Sequence, residues 1–75
     1  MRKNNNQQIL AKFGSHIAGI RASKSITQEQ LAENAGLDRI TIAFIESGRR
    51  WPRIGTLNRL AKGLGVKIED LFKGL

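Results

Sequence analysis

Residues 27–48 combine small, bent and apolar positions at a spacing that suits two short helices joined by a tight turn. Counting from Gln28, Ala32 follows four residues later, Gly36 eight and Ile42 fourteen. A small Ala32 lets a second helix approach the first, and Gly36 supplies the positive φ that turns the chain after a helix. Ile42 then faces back into the joint between the helices.

The same segment carries the residues that begin helices. Thr27 and Gln30 have the spacing of a capping box, in which each side chain bonds the backbone N–H of the other residue. Asp38 is placed to cap the second helix, and Ile42 and Ile45 are three residues apart on one helical face. Together these features predict a helix-turn-helix, a motif that commonly places its second helix in the DNA major groove.

Apolar periodicity over the rest of the chain predicts an all-α domain of five helices. The helices cover about residues 7–22, 28–35 and 39–47, a fourth that ends at Gly65, and a short fifth at about 68–72. Residues 1–6 lack periodicity and are expected to be a mobile arm, so that 7–75 form the domain. With 75 residues, no cysteine and no long apolar run, we expect a soluble cytoplasmic protein that is stabilised by helix packing.

The net charge of +7 is distributed unevenly along the chain. No acid precedes Glu29, and none lies between Glu46 and Glu69, whereas that second interval holds six arginines and lysines. Residues 29–46 hold four acids and one base. The positive potential therefore lies on the flanks of the motif, where it suits contacts to phosphates, which position a protein on DNA without reading its sequence.

The outer face of the second motif helix is unusually apolar for a DNA-reading surface. Its candidate base-reading residues are Arg39, Ile40, Ala43 and Phe44. Arg39 suits a bidentate contact to guanine, with a phosphate contact as the alternative. The other three suit thymine methyl groups and predict a T-rich half-site, although Phe44 can instead fold back to cover the loop near Trp51.

No pattern in the chain suggests catalysis or a metal site. The serines lack a nucleophile–base–orienter arrangement, and His16 is the sole histidine. We therefore expect no enzyme activity, cofactor, metal or small-molecule ligand.

Four stretches between residues 13 and 72 resemble the lambda-repressor-like, Cro/C1-type helix-turn-helix family, which includes phage repressors and restriction–modification controller proteins. The stretches are FGSHIAGIR, TQEQLAENAGLDR, TIAFIESGRRWP and TLNRLAKGLGVKIEDLF. The resemblance implies a compact five-helix domain that binds double-stranded DNA as a homodimer and regulates transcription. It leaves open whether Ile54, Ile68, Phe72 and Leu75 belong to the core or to the dimer interface.

The resemblance also implies roles for individual residues. The expected DNA phosphate-binding residues are Thr27, Gln28, Arg49, Arg50, Trp51, Arg53 and Thr56. Arg21 and Glu46 match an ion pair that orients the recognition helix; the alternative is two unrelated surface charges. Gln28 can also be a plain helix-start residue, and Trp51 can fill the core or cover the loop.

Two further expectations concern positions where relatives carry other residues. Arg53 and Lys67 stand where relatives often have a capping Ser or Thr, so the last two helices lack a capping hydroxyl; at the fourth helix a DNA phosphate can replace it. His16 is expected to be solvated or to make a weak phosphate contact.

The alternative function is a protein-interaction module, such as an antitoxin partner, that uses the apolar face of the second motif helix.

Overall fold

The computed structural model describes residues 5–75, which form four α-helices and one 3₁₀ helix without any strand. The elements are α1 (Asn5–Ser23), α2 (Gln28–Ala35), α3 (Arg39–Glu46), α4 (Ile54–Leu64) and the C-terminal 3₁₀ helix (Ile68–Phe72). The all-α prediction is confirmed, but the count of five α-helices is not. Within the described residues, no helix is long and apolar enough to cross a bilayer.

The last element is a five-residue 3₁₀ helix in place of the predicted α-helix. Asp70 donates its N–H to the carbonyl of Lys67 at 2.9 Å, an i→i+3 bond. The same Asp70 carboxylate accepts the N–H of Lys67 at 3.0 Å. This carboxylate satisfies the N–H of Lys67, which is the reciprocal half of a capping box. Neither Lys67 nor Arg53 supplies a side-chain cap to the helix that follows it.

Helix α1 begins two residues earlier than predicted, so Asn5 and Asn6 belong to it and not to the expected arm. Residues 1–4 lie outside the described residues. At its other end α1 extends to Ser23, and the backbone then turns at Ser25 with a positive φ of 58°.

The predicted joint between α2 and α3 is confirmed. Thr27 Oγ1 accepts the N–H of Gln30 at 3.0 Å, and Gln30 Oε1 accepts the N–H of Thr27 at 2.8 Å. Gly36 has the expected left-handed φ of 69°. Asp38 Oδ1 accepts the N–H of Thr41 at 2.7 Å and begins α3. These bonds join residues that are close in sequence, so they orient the backbone of the joint without long-range contacts.

One apolar core holds the helices together. α2 packs against α3 and α4, and α3 also packs against α1. The buried cluster consists of Phe13, Ile17, Leu31, Ala32, Ala35, Ile42, Ile45, Leu60, Ala61, Leu64 and Leu71. Because Ile42 and Ile45 are the only buried residues of α3, a single stripe attaches that helix and the rest of its surface stays outside the core.

The C-terminal end of α3 approaches α1 unusually closely at Gly14. A Cβ atom added there would lie 2.5 Å from the carbonyl oxygen of Ile45 and 2.6 Å from that of Glu46. Both obstacles are backbone atoms, which cannot rotate away as a side chain can. Gly14 therefore sets the distance between α1 and α3.

We expect Gly14→Ala to lower the free energy of unfolding by about 1–3 kcal/mol, because the backbones must separate. Gly19→Ala in the same helix is the matched control, since a Cβ added at Gly19 meets nothing within 4 Å. That control should gain roughly 0.5–1 kcal/mol from helix propensity. Urea unfolding followed by circular dichroism measures both; equal effects would contradict the close approach.

Candidate nucleic-acid interface

The four predicted base-reading residues all lie outside the core, with different exposures. Arg39 is exposed, and Ile40 keeps 59% of its surface accessible. Ala43 and Phe44 are half-buried. Helix α3 therefore presents one long cation and one large aliphatic side chain directly to solvent near its N-terminal end.

A three-residue network fixes the other end of α3. Glu46 Oε2 accepts from Arg21 Nε at 2.7 Å, and its Oε1 accepts from the Arg21 terminal nitrogen at 3.1 Å. Gln28 Nε2 donates to the same Oε1 at 3.0 Å. Arg21 also donates to the carbonyl of Ile26 at 2.9 Å. The network thus joins α1, the start of α2 and the end of α3.

The ion pair within this network is largely withdrawn from water. The side chains of Arg21 and Glu46 are 20% and 6% exposed. The hydrogen bond with Glu46 raises the pKa of Arg21, and burial opposes that rise only in part. Arg21 and Glu46 are therefore not unrelated surface charges. Gln28 is not a plain helix-start residue either, because its side chain donates to Glu46.

The loop between α3 and α4 carries exposed arginines without carboxylate partners. Among residues 5–75, neither Arg49, Arg50 nor Arg53 forms an ion pair. The guanidinium carbons of Arg49 and Arg50 lie 5.8 Å and 5.4 Å from the centre of the Phe44 ring. Phe44 thus turns toward the loop, as one of the two alternatives for this residue predicted, and its ring lies beside the two arginines.

Trp51 combines the two interpretations that the sequence left open. Its ring lies 5.7 Å from the buried ring of Phe13, at an angle of 38°. Phe13 in turn stacks on Phe72 at 5.4 Å. Even so, 44% of Trp51 remains accessible. One part of the indole therefore covers the core, and the other part faces solvent beside the loop arginines.

A cleft of about 400 Å³ separates α3 from the loop that follows it and from the start of α4. Its walls mix apolar side chains with hydroxyls and guanidinium groups. The lining residues are Asp38, Ile40, Thr41, Phe44, Ile45, Arg50, Trp51, Pro52, Arg53 and Thr56. Four of the predicted phosphate-binding residues thus meet along one cleft, whereas Thr27 and Gln28 lie at the start of α2, where Gln28 contacts Glu46.

The structure corrects the expectation for His16. Its ring is half-buried, and Nε2 donates to the carbonyl oxygen of Asp70 at 2.8 Å. This bond connects α1 with the C-terminal 3₁₀ helix across 54 positions of sequence. No local pattern signals such a contact, because neither residue determines where the other segment packs.

Comparisons with known proteins agree with this geometry. Residues 17–71 match the model of the helix-turn-helix family HTH_3. The chain is 46% identical over 52 residues to an uncharacterized HTH-type transcriptional regulator, MJ0272, of Methanocaldococcus jannaschii, covering 69% of this chain and 79% of that protein. It is 42% identical over 58 residues to the immunity repressor of Bacillus phage phi105, covering 77% of this chain and 40% of the repressor.

A solved structure also has a fold similar to that of this chain. The restriction-modification controller protein C.AhdI from Aeromonas hydrophila superposes with a TM-score of 0.82 at 35% sequence identity. The superposition covers 84% of this chain and 96% of the controller protein. The similarity therefore extends over nearly the whole of that chain.

We expect Glu46→Ala to lower the free energy of unfolding by about 3 kcal/mol, because it leaves the largely buried Arg21 without its counter-charge. Lys73→Ala is the control, since it removes an exposed ion pair with Asp70 and should leave the urea midpoint unchanged. If both variants unfold at the same midpoint, the network does not hold α3.

Acid should destabilise the start of α3. The backbone hydrogen bond from Thr41 lowers the pKa of Asp38 from its ordinary value of 3.8. The stabilisation is therefore complete above that ordinary value and is lost as the pH falls through the lowered one. Urea midpoints between about pH 2 and pH 6 measure the loss. Asp38→Asn, which keeps a capping oxygen but does not titrate, should show a smaller decrease; an identical pH profile would contradict this assignment.

Proposed function

We propose that this chain, which belongs to the HTH_3 helix-turn-helix family of transcriptional regulators, binds a double-stranded DNA operator as a homodimer with α3 in the major groove. The observation that carries the proposal is the attachment of α3. One apolar stripe and the Glu46 network hold the helix, while its outer face and the neighbouring arginines remain accessible. A rigid helix with a free outer face beside unpaired cations suits recognition in a groove bordered by phosphates.

Arg39 and Ile40 are the proposed principal base readers. The guanidinium of Arg39 has no ion-pair partner in the described chain, so its donors are available to the O6 and N7 atoms of guanine. Ile40, with 59% of its surface accessible, matches the methyl group of thymine, and Ala43 adds a smaller apolar contact beside it. Few hydrogen bonds would then specify the operator.

The cleft beside α3 is the proposed phosphate-binding region. Arg50 and Arg53 line it together with Thr56, and the backbone at the start of α4 lacks a side-chain cap at Arg53. A phosphate at this point would satisfy open N–H groups and meet two guanidinium groups at once. At the start of α2, Thr27 and Gln28 would contact a second stretch of backbone, and the exposed edge of Trp51 can donate its indole N–H.

A homodimer would place two copies of α3 about 34 Å apart, one turn of DNA. Exposed apolar residues lie at the start of α4 and in the C-terminal segment, and they are the proposed subunit contact. They are Ile54 at 74% exposure, Ile68 at 37%, Phe72 at 40% and Leu75 at 45%. Symmetric pairing through such residues would double the DNA contacts of a small domain.

Binding to random duplex DNA at several salt concentrations tests the proposal. Six arginine–phosphate contacts in a dimer predict a slope of log K against log salt of about −5. A flat slope and no binding would favour the alternative in which the exposed Ile40 face contacts a protein partner. Selection of bound duplexes should return paired T-rich half-sites. Selection of G/C-rich half-sites that tolerate the loss of A·T pairs would contradict the proposed contacts between apolar side chains and thymine methyl groups.

Arg39→Ala should cost about 1–3 kcal/mol of discrimination at one base position and relax the preference there. Lys73→Ala changes the net charge equally and is the matched control, which should leave every base preference unchanged. Selection with both variants measures the difference. A uniform loss of affinity in Arg39→Ala, with its base preferences intact, would assign Arg39 to a phosphate instead.

A further inference from the structure

The backbone turns at the end of α3, and this turn places Arg49 beside the Phe44 side chain. Gly48 adopts a left-handed φ of 71° and donates its N–H to the carbonyl of Ile45 at 3.1 Å. Arg49 then donates its N–H to the carbonyl of Phe44 at 3.0 Å. These two bonds are those of a Schellman motif, in which the residue after the glycine commonly makes a hydrophobic contact with this position of the helix. Here the contacting side chain is a cation.

Two guanidinium groups share the Phe44 ring. Their carbons lie 5.8 Å (Arg49) and 5.4 Å (Arg50) from the ring centre, within the distance of a cation–π interaction. Neither arginine pairs with an acid within residues 5–75. The ring is half-buried, so its position is set by the helix and not by solvent.

We propose that Phe44 is a positioning residue, which holds Arg49 and Arg50 toward the DNA backbone in place of reading a base; this inference rests on the proposed DNA-binding function. A guanidinium that stacks on a ring keeps the N–H groups at its edge free to meet phosphate oxygens. Because the ring restricts two long side chains before DNA arrives, less conformational freedom is lost on binding. Phe44 therefore strengthens sequence-independent contacts, and the specificity stays with Arg39 and Ile40.

The first test uses DNA binding by the full chain. Phe44→Leu keeps an apolar side chain but removes the ring, and Phe44→Tyr keeps the ring. We expect Phe44→Leu to weaken binding to all duplexes by roughly 10- to 30-fold, because the four arginines of a dimer then lose more conformational freedom on binding. Its base preferences should match those of the unmodified chain. Phe44→Tyr should bind within about twofold of the unmodified chain.

A thermodynamic cycle separates positioning from a simple packing effect. In the double variant Arg49→Gln, Arg50→Gln, the further change Phe44→Leu should have no additional effect on DNA affinity, because the groups that it positions are gone. A loss equal to that in the unmodified background would overturn the proposal. So would a change of base preference at one position in Phe44→Leu, which would make Phe44 a base reader. Thermal unfolding of every variant checks whether each one folds.

A second measurement needs no DNA. In the free protein, the ring current of Phe44 should shift the Nε–H protons of Arg49 and Arg50 upfield in NMR spectra, and Phe44→Leu should remove that shift. Unshifted protons in the unmodified chain would overturn the proposal even if Phe44→Leu fails to fold. If the chain does not bind DNA at all, the proposed function fails on the salt titration, while these resonances still report whether the ring holds the arginines.

Discussion

The attachment of α3 is the constraint on which the rest of the molecule depends. Ile42 and Ile45 bury the inner face of this helix, and Glu46 accepts hydrogen bonds from Arg21 and Gln28 at its end. A carboxylate with a 6% exposed side chain needs such partners, since an unpaired buried charge is costly. The hydrogen bonds that satisfy Glu46 therefore also fix the angle of α3, and a helix that enters a DNA groove needs a fixed angle.

The cationic loop depends on that attachment in turn. Gly48 ends α3 and reverses the chain, so that Arg49 and Arg50 return to the Phe44 ring instead of extending freely. Trp51 then packs on Phe13, which is part of the core. The loop is thus held by contacts at both of its ends, although its charged groups have no acidic partner within residues 5–75. This arrangement leaves the arginine donors available while limiting the freedom of the side chains that carry them.

Much of the motif was predictable because its determinants are local. The capping box of Thr27, the left-handed turn at Gly36 and the cap at Asp38 each involve residues within a few positions of one another. The errors occurred where distance in sequence is large or an element is short. The His16 bond to Asp70 spans 54 positions, and the short final helix is a 3₁₀ helix in place of the predicted α-helix. The approach of Gly14 to α3 also depends on two helices meeting.

The amino-acid sequence alone determined the helical class, the joint between α2 and α3 and the placement of positive charge on its flanks, because periodicity, caps and charge are properties of the chain itself. It also indicated which residues face outward from α3. Only the tertiary structure decided that Phe44 contacts the two loop arginines, that Trp51 packs on the core with part of its ring, and that Gln28 joins the Arg21–Glu46 pair. Those outcomes depend on where separate segments come to rest against one another, and packing in three dimensions sets that placement.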